Sequence, residues 1–546
     1  MHTRLFSFTA IVSITLLSLF TGCGASNSEG LEAMKSPPDT SYSVILLGGL
    51  VYDGTGDRPM RTDLGLVGDK IIAVGDLSEF TAESIYDISG LVVTPGFIDI
   101  HSHASGGNFK ASGLNAFPNA ENYIRQGVTS VIVGQDGSSA FPIDKFLKEM
   151  EGRPAAINRG TMVGHGTVRA IVMGNRDRQP TGNELNKMKT MVQQSMQSGA
   201  FGLSSGLEYT PGAYAKTEEL IELANILEPY NGIYISHIRN EGAELLKSVE
   251  ETIRIGEEAG IAPQITHHKV VGNGRWGMSE QSLRLVEEAR QRGVDAMSDV
   301  YPYTASSTGI NILFPPWSKE GTRAQRVARL KDPEKRIFIR NDIAEHIETE
   351  RGGDPSSIVV ANCSWNRNLN GKSLADILEE RGREVTVTNA ADLAMELEIN
   401  GGCMGVFHSM GEEDVIRIMK HPTTMVASDG GIPRFGLGAP HPRNYGTFAR
   451  VIARYVRELD ALSMEEAVHK MSALPAQRLE LENRGILKEG AIADLAVIQA
   501  DSLQDHATFE NPHQYATGVI HVFVSGEAVL LDGEVTGKRP GKVLRK

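Results

Sequence analysis

Cysteine is scarce in this chain: 546 residues contain three, Cys23, Cys363 and Cys403. No two of them stand in a CxxC or other zinc-finger spacing, so any metal must be held by histidines and carboxylates. Cys363 and Cys403 read as two separate core thiols, with a disulfide as the alternative in an oxidising compartment. A surplus of positive charge is also lacking. The formal net charge is −14, which argues against nucleic acid as a partner. Short repeats and low-complexity blocks are absent as well, so the chain does not read as a repeat array. The N-terminal hydrophobic run is too short for a comfortable membrane span.

That run, in "MHTRLFSFTAIVSITLLSLFTGC", follows Arg4 and leads through Thr21 and Gly22 into Cys23. The layout is that of a secretory signal. It also resembles a bacterial lipoprotein signal, although Phe20 stands where leucine is usual and Leu19 sits one place earlier. The resemblance implies cleavage after residue 22 and lipidation of Cys23. Gly24 in place of aspartate after the cysteine implies an outer-membrane lipoprotein facing the periplasm, with a periplasmic or cell-surface protein as the alternative. Residues 23–42 are small, polar and proline-containing, the composition of a flexible tether.

Beyond the tether, two segments rich in short strands and turns, 43–93 and 480–546, bracket everything between them. They are expected to pair into one small β-sandwich domain. Between them, over 94–479, apolar strands alternate with amphipathic helices, each helix stopped near a glycine. Strands are expected at 91–100, 128–134, 158–163, 200–204, 232–236, 262–267, 294–299 and 424–428. Eight such βα units predict an α/β fold, a (β/α)8 TIM barrel. The stretch between the seventh and eighth strands is too long for one helix, so an inserted subdomain is expected at about 304–365.

Barrel enzymes carry their chemistry at the C-terminal ends of the strands. Those ends hold His101 and His103, Asp136, His165, Glu208 with Tyr209, His237, His267 with His268, and Asp429. A single histidine at a strand end is ordinarily structural. Imidazoles and carboxylates at nearly every strand end of one barrel point instead to a metal-dependent hydrolase. His268 adjoins His267, so its ring should face the other side of the strand; it and His165 are read as core or supporting residues.

The stretch "VTPGFIDIHSH" after an N-terminal β segment resembles the amidohydrolase superfamily. "GLSSGLEYTPG", "SHIRNEG", "THHK", "DVYPYTASST" and "HPRNYGTFARV" resemble its D-aminoacylase (N-acyl-D-amino-acid deacylase) branch, and the similarity covers about residues 44–545. The resemblance implies zinc as the metal, with one tight ion on two histidines and a cysteine. His237 and His267 match the histidines, but Asp136 stands where the branch usually has cysteine. A carboxylate is a harder ligand than a thiolate and is able to bridge two ions. His101 and His103 would then hold a second, weaker ion. No lysine sits at an obvious bridging position. Asp429 is expected to take a proton from the attacking water and return it to the leaving amine. The branch's carboxylate-binding positions fall on Lys269, Tyr301, Ser307 and Arg443, with Tyr209 nearby.

The expected activity is therefore zinc-dependent hydrolysis of the amide of an N-acyl-D-amino acid, a small-molecule substrate or short peptide. A metallo-dipeptidase or amidase acting on D-residue-containing peptides is the main alternative. A cyclic-amide hydrolase of the hydantoinase kind is disfavoured by the later motifs and the missing lysine. A non-catalytic binding lipoprotein is supported only by the missing cysteine.

Overall fold

The protein is described from a computed structural model, which covers residues 41–105 and 112–546. The expected signal, Cys23 and the tether up to residue 40 lie outside the described residues.

Eight parallel strands form the barrel: Phe97–Asp99, Val128–Val133, Asn158–Thr161 with Val163–Gly164, Gly202–Gly206, Ile233–His237, Pro263–Ile265, Met297–Val300 and Thr424–Val426. They are called strands 1–8 below. The ring closes where Ser102 pairs with Gly430 and the Ser428 amide donates to Asp99 Oδ1 at 2.9 Å. Strands 2, 4 and 5 are buried along their whole length, as expected for parallel strands covered on both faces. Gly202 admits no side chain, because a Cβ there would lie 1.9 Å from the Ile233 carbonyl oxygen. The surrounding helices follow the expected pattern. Leu245–Ala259, for example, buries Leu245, Val249, Thr252, Ile253 and Gly256 on one face and ends at Gly260 in the left-handed region.

The terminal segments meet in one nine-stranded hydrogen-bonded network. Val92–Pro95 from the N-terminal side pairs antiparallel with Leu495–Ile498 from the C-terminal side. The run expected as a single strand over 91–100 divides at Gly96. Its first half joins the terminal sheet and its second half becomes strand 1. The crossing requires glycine, since a Cβ at this point would lie 2.2 Å from the Thr129 side chain.

Between strands 7 and 8 an insertion forms its own three-stranded antiparallel sheet, Ala305–Gly309, Met404–His408 and Ile358–Asn362, with Met404–His408 in the middle. Helices including Pro333–Glu350 and Val387–Asn400 pack on it around a separate hydrophobic cluster containing Ile339, Ile343, Leu393 and Phe407. The insertion thus runs to His408, well past the expected boundary at 365. Helical periodicity over 374–400 does not tell which body a helix covers. Cys363 and Cys403, expected as separate thiols, form a disulfide within this insertion. Their neighbours Asn362 and Met404 are paired in the sheet, and this register brings the two cysteines together. Among the described residues, no helix is long and apolar enough to cross a membrane.

Candidate metal centre and its cavity

The barrel mouth opens into a cavity of about 790 Å³, within the usual range for small-molecule sites. At its floor the strand ends assemble two potential ligand groups that share one residue, and a third, of Glu208, His237 and Glu241, overlaps the second at His237. His101, His103, Asp136 and Asp429 form the first; Asp136, His237 and His267 form the second. Each group's ligand atoms lie within 4.8 Å of one another. Asp136 is the shared member: its Oδ1 lies 3.4 Å from His101 Nε2 and 3.5 Å from His267 Nε2, and its Oδ2 lies 3.2 Å from His103 Nε2. His237 Nδ1 faces His267 Nε2 at 2.8 Å.

Asp136, His267 and Asp429 all have positive φ, at 52°, 35° and 49°. Left-handed backbone is uncommon outside glycine and gathers at functional sites. Here it turns three side chains off three strand ends toward one point.

The donor set fits a cation. His101 Nε2 and Asp136 Oδ1 are both buried without a hydrogen-bond partner although they face each other. Buried polar atoms are ordinarily satisfied, so this convergence is what a metal would complete. The protonation equilibria agree. Burial pulls the His103 imidazole down, but Asp136 and Asp429 outweigh it and push His103 up to about 10. His267 is likewise opposed by burial and by Lys269, yet Glu241 and Asp136 raise it to about 10. Asp136 and Asp429 stay ionised, and the protonated imidazoles of His103 and His267 balance their charge.

Around these groups lies a ring of charge. His237 Nε2 donates to Glu208 Oε2 at 3.0 Å, and His267 Nδ1 lies 3.0 Å from Glu241 Oε1. Lys269 Nζ pairs with Glu241 at 2.6 Å, and Arg443 Nη1 pairs with Asp429 Oδ2 at 2.8 Å. Burial would raise the Asp429 carboxyl, but Arg443, His103 and the other imidazoles hold it well below the ordinary range.

Asp136, His101, His103, His237, His267 and Asp429 converge as expected. Lys269, Ser307, Arg443 and Tyr209 all line the cavity. Tyr209 lies tilted against His237, with ring centroids 4.5 Å apart. Tyr301 does not reach the cavity wall; its buried ring lies between Lys269 and Arg443, 5.5 and 5.0 Å from the two cations, and fixes them. His165 and His268 sit away from the centre, bonded to Glu219 and Ser282. Glu208 was singled out at its strand end without a role, and two further supporting residues, Glu241 and Arg351, were not anticipated. Glu208 and Glu241 lie inside quoted motifs, so their position as the next acids after strands 4 and 5 was the available signal. Arg351, which pairs with Glu208, comes from the insertion and carries no sequence signal.

A family model described as "Amidohydrolase family" matches residues 84–305 and 404–530, and the break between the two matches falls on the insertion. The D-aminoacylase of Alcaligenes xylosoxydans xylosoxydans is 34% identical over 94% of this chain and 99% of its own. The solved structure of N-acyl-D-glutamate deacylase from Bordetella bronchiseptica, complexed with zinc and a phosphonate mimic of the tetrahedral intermediate, superposes with a TM-score of 0.80. It is 32% identical, covering 93% of this chain and all of that one. A D-aminoacylase structure concerned with the role of a binuclear metal centre, with one-metal activation and second-metal attenuation, gives a TM-score of 0.78 at 34% identity. It covers 92% of this chain and 100% of its own.

Proposed function

Because this chain belongs to the amidohydrolase family, in its D-aminoacylase branch, we propose that it hydrolyses the amide bond of N-acyl-D-amino acids with zinc as its metal. The products are a D-amino acid and a carboxylate. The observation that carries this reading is the pair of ligand groups sharing Asp136 beneath a cavity walled by Lys269 and Arg443.

His237, His267 and Asp136 would hold the tight ion, and His101 and His103, together with the shared Asp136, a second and weaker one. Bound zinc polarises a carbonyl and makes water acidic enough to ionise near neutral pH. Asp429 takes the proton of the attacking water and delivers it to the amide nitrogen, without which the amine cannot leave. Its Oδ1 points into the ligand group, 3.1 Å from His103 Nε2, while Oδ2 is held by Arg443. The substrate's α-carboxylate binds Lys269 and Arg443, with the Ser307 and Tyr209 hydroxyls beside them. By drawing on Arg443, it leaves Asp429 less strongly paired and more basic when substrate is in place. The size of the cavity supports a second reading, hydrolysis of short peptides that contain D-residues.

The N-terminal layout supports export as a lipoprotein anchored through Cys23. The disulfide is in keeping with an oxidising compartment.

Asp429→Asn tests the enzymatic assignment. The variant should retain zinc and bind N-acetyl-D-amino acids while kcat falls by about 10²–10⁴-fold. Undiminished turnover would remove Asp429 from the mechanism.

A further inference from the structure

Arg351 follows directly after helix Pro333–Glu350 of the insertion, yet its side chain is only 3% exposed and reaches the metal centre. It pairs with Glu208 Oε1, while Oε2 of the same carboxylate accepts from His237 Nε2 at 3.0 Å. The other nitrogen of that ring, Nδ1, is the one turned toward His267, which with Asp136 completes the second ligand group. The adjacent Glu350 grips the loop after strand 5, accepting from the Ala243 amide at 3.0 Å and facing the Asn240 side chain at 3.4 Å. The Arg351 guanidinium also lies 5.7 Å from the Phe407 ring, which belongs to the insertion's own core. Two consecutive residues of the insertion thus hold both the segment that carries His237 and the carboxylate that orients it.

We infer that Arg351 is a positioning residue for the metal ligand His237, acting through Glu208, and that the insertion thereby sets the metal affinity of the barrel. The physical basis is tautomer control. An imidazole offers a lone pair at Nδ1 only while its proton stays on Nε2, and a carboxylate accepting at Nε2 keeps it there. Glu208 performs this only if it stays aimed at the ring. A buried carboxylate whose second oxygen has no partner turns away toward water instead. Arg351 supplies the counter-charge and occupies the second oxygen, leaving Oε2 for His237.

This inference rests on His237 being a zinc ligand, and the test separates the two claims. Zinc dissociation constants are measured by chelator competition for the wild type, Arg351→Gln, Arg351→Lys, Glu208→Gln and the Glu208→Gln/Arg351→Gln double variant, with folding checked by circular dichroism. Arg351→Gln should weaken zinc by about 10–100-fold, as loss of a partner to a ligand typically does. Arg351→Lys, which retains the charge, should recover most of the loss. In the Glu208→Gln background, Arg351→Gln should cost little more, because the residue acts through a carboxylate already removed. The double variant also removes both buried charges together, which guards the fold. An unchanged zinc constant in Arg351→Gln, or an equal loss in both backgrounds, would overturn the inference. A wild type that binds no zinc would overturn the ligand assignment along with it.

Discussion

Asp136 Oδ1 and His267 Nε2 face each other at 3.5 Å from the ends of strands 2 and 6, which are not neighbours in the barrel. The same Oδ1 also meets His101 and Oδ2 meets His103, so both ligand groups depend on this carboxylate. Asp136→Ala should therefore weaken zinc by more than about 100-fold, exceeding the loss of an outer partner, and both ions should go together. Asp136→Cys should restore one tight ion with higher zinc selectivity. Metal analysis after dialysis checks both; unchanged content in Asp136→Ala would give this residue a structural role only.

Lys269 and Arg443 wall the cavity as buried cations, so the substrate's α-carboxylate should matter more than its side chain. Replacing that carboxylate by an amide should lower kcat/KM by about 10–100-fold, the worth of a hydrogen bond to a charged group at roughly 1.5–3 kcal/mol. Steady-state kinetics with N-acetyl-D-leucine and its carboxamide make the comparison.

The histidines predict how stability depends on pH. Burial lowers His268 to about 3, so its contribution is full above the ordinary histidine range near 6.5 and is lost as pH falls toward 3. His103 and His267, raised to about 10, contribute fully below 6.5 and lose that contribution as pH rises toward 10. Zinc-depleted protein should therefore melt highest near pH 6.5. In zinc-loaded protein the alkaline limb should flatten, since the metal then replaces the protons. Thermal melts from pH 5 to 9.5, with and without zinc, read this directly; His268→Gln should flatten the acid limb.

The Cys363–Cys403 disulfide joins two strand ends separated by 40 residues, and the adjacent Asn362 and Met404 line the cavity. Reduction should destabilise the insertion by about 3–4 kcal/mol, the chain-entropy expectation for a loop of this length. It should also raise KM through the slackened wall. Melting temperature and KM with and without reductant test both effects.

The barrel was legible because parallel strands buried on both faces read as continuous apolar runs, and because His101, His103, Asp136, His237, His267 and Asp429 all fall at strand ends. What stayed hidden depends on long-range approach. Arg351 lies 143 residues from Glu208 along the chain, and nothing in "ETERGGD" distinguishes it from a solvated charge. Tyr301 sits at the expected position but turns its ring beneath two cations, a choice made by packing. The insertion's true extent required knowing that Met404–His408 is the central strand of its sheet, which no local pattern reveals.

The measurement that most directly tests the central claim is turnover of paired N-acetyl-D- and N-acetyl-L-amino acids, alongside matching dipeptides, by protein of known metal content. Zinc-containing protein should cleave the N-acetyl-D series and leave the L series untouched. Activity confined to L-dipeptides, or full activity in metal-free protein, would contradict the account.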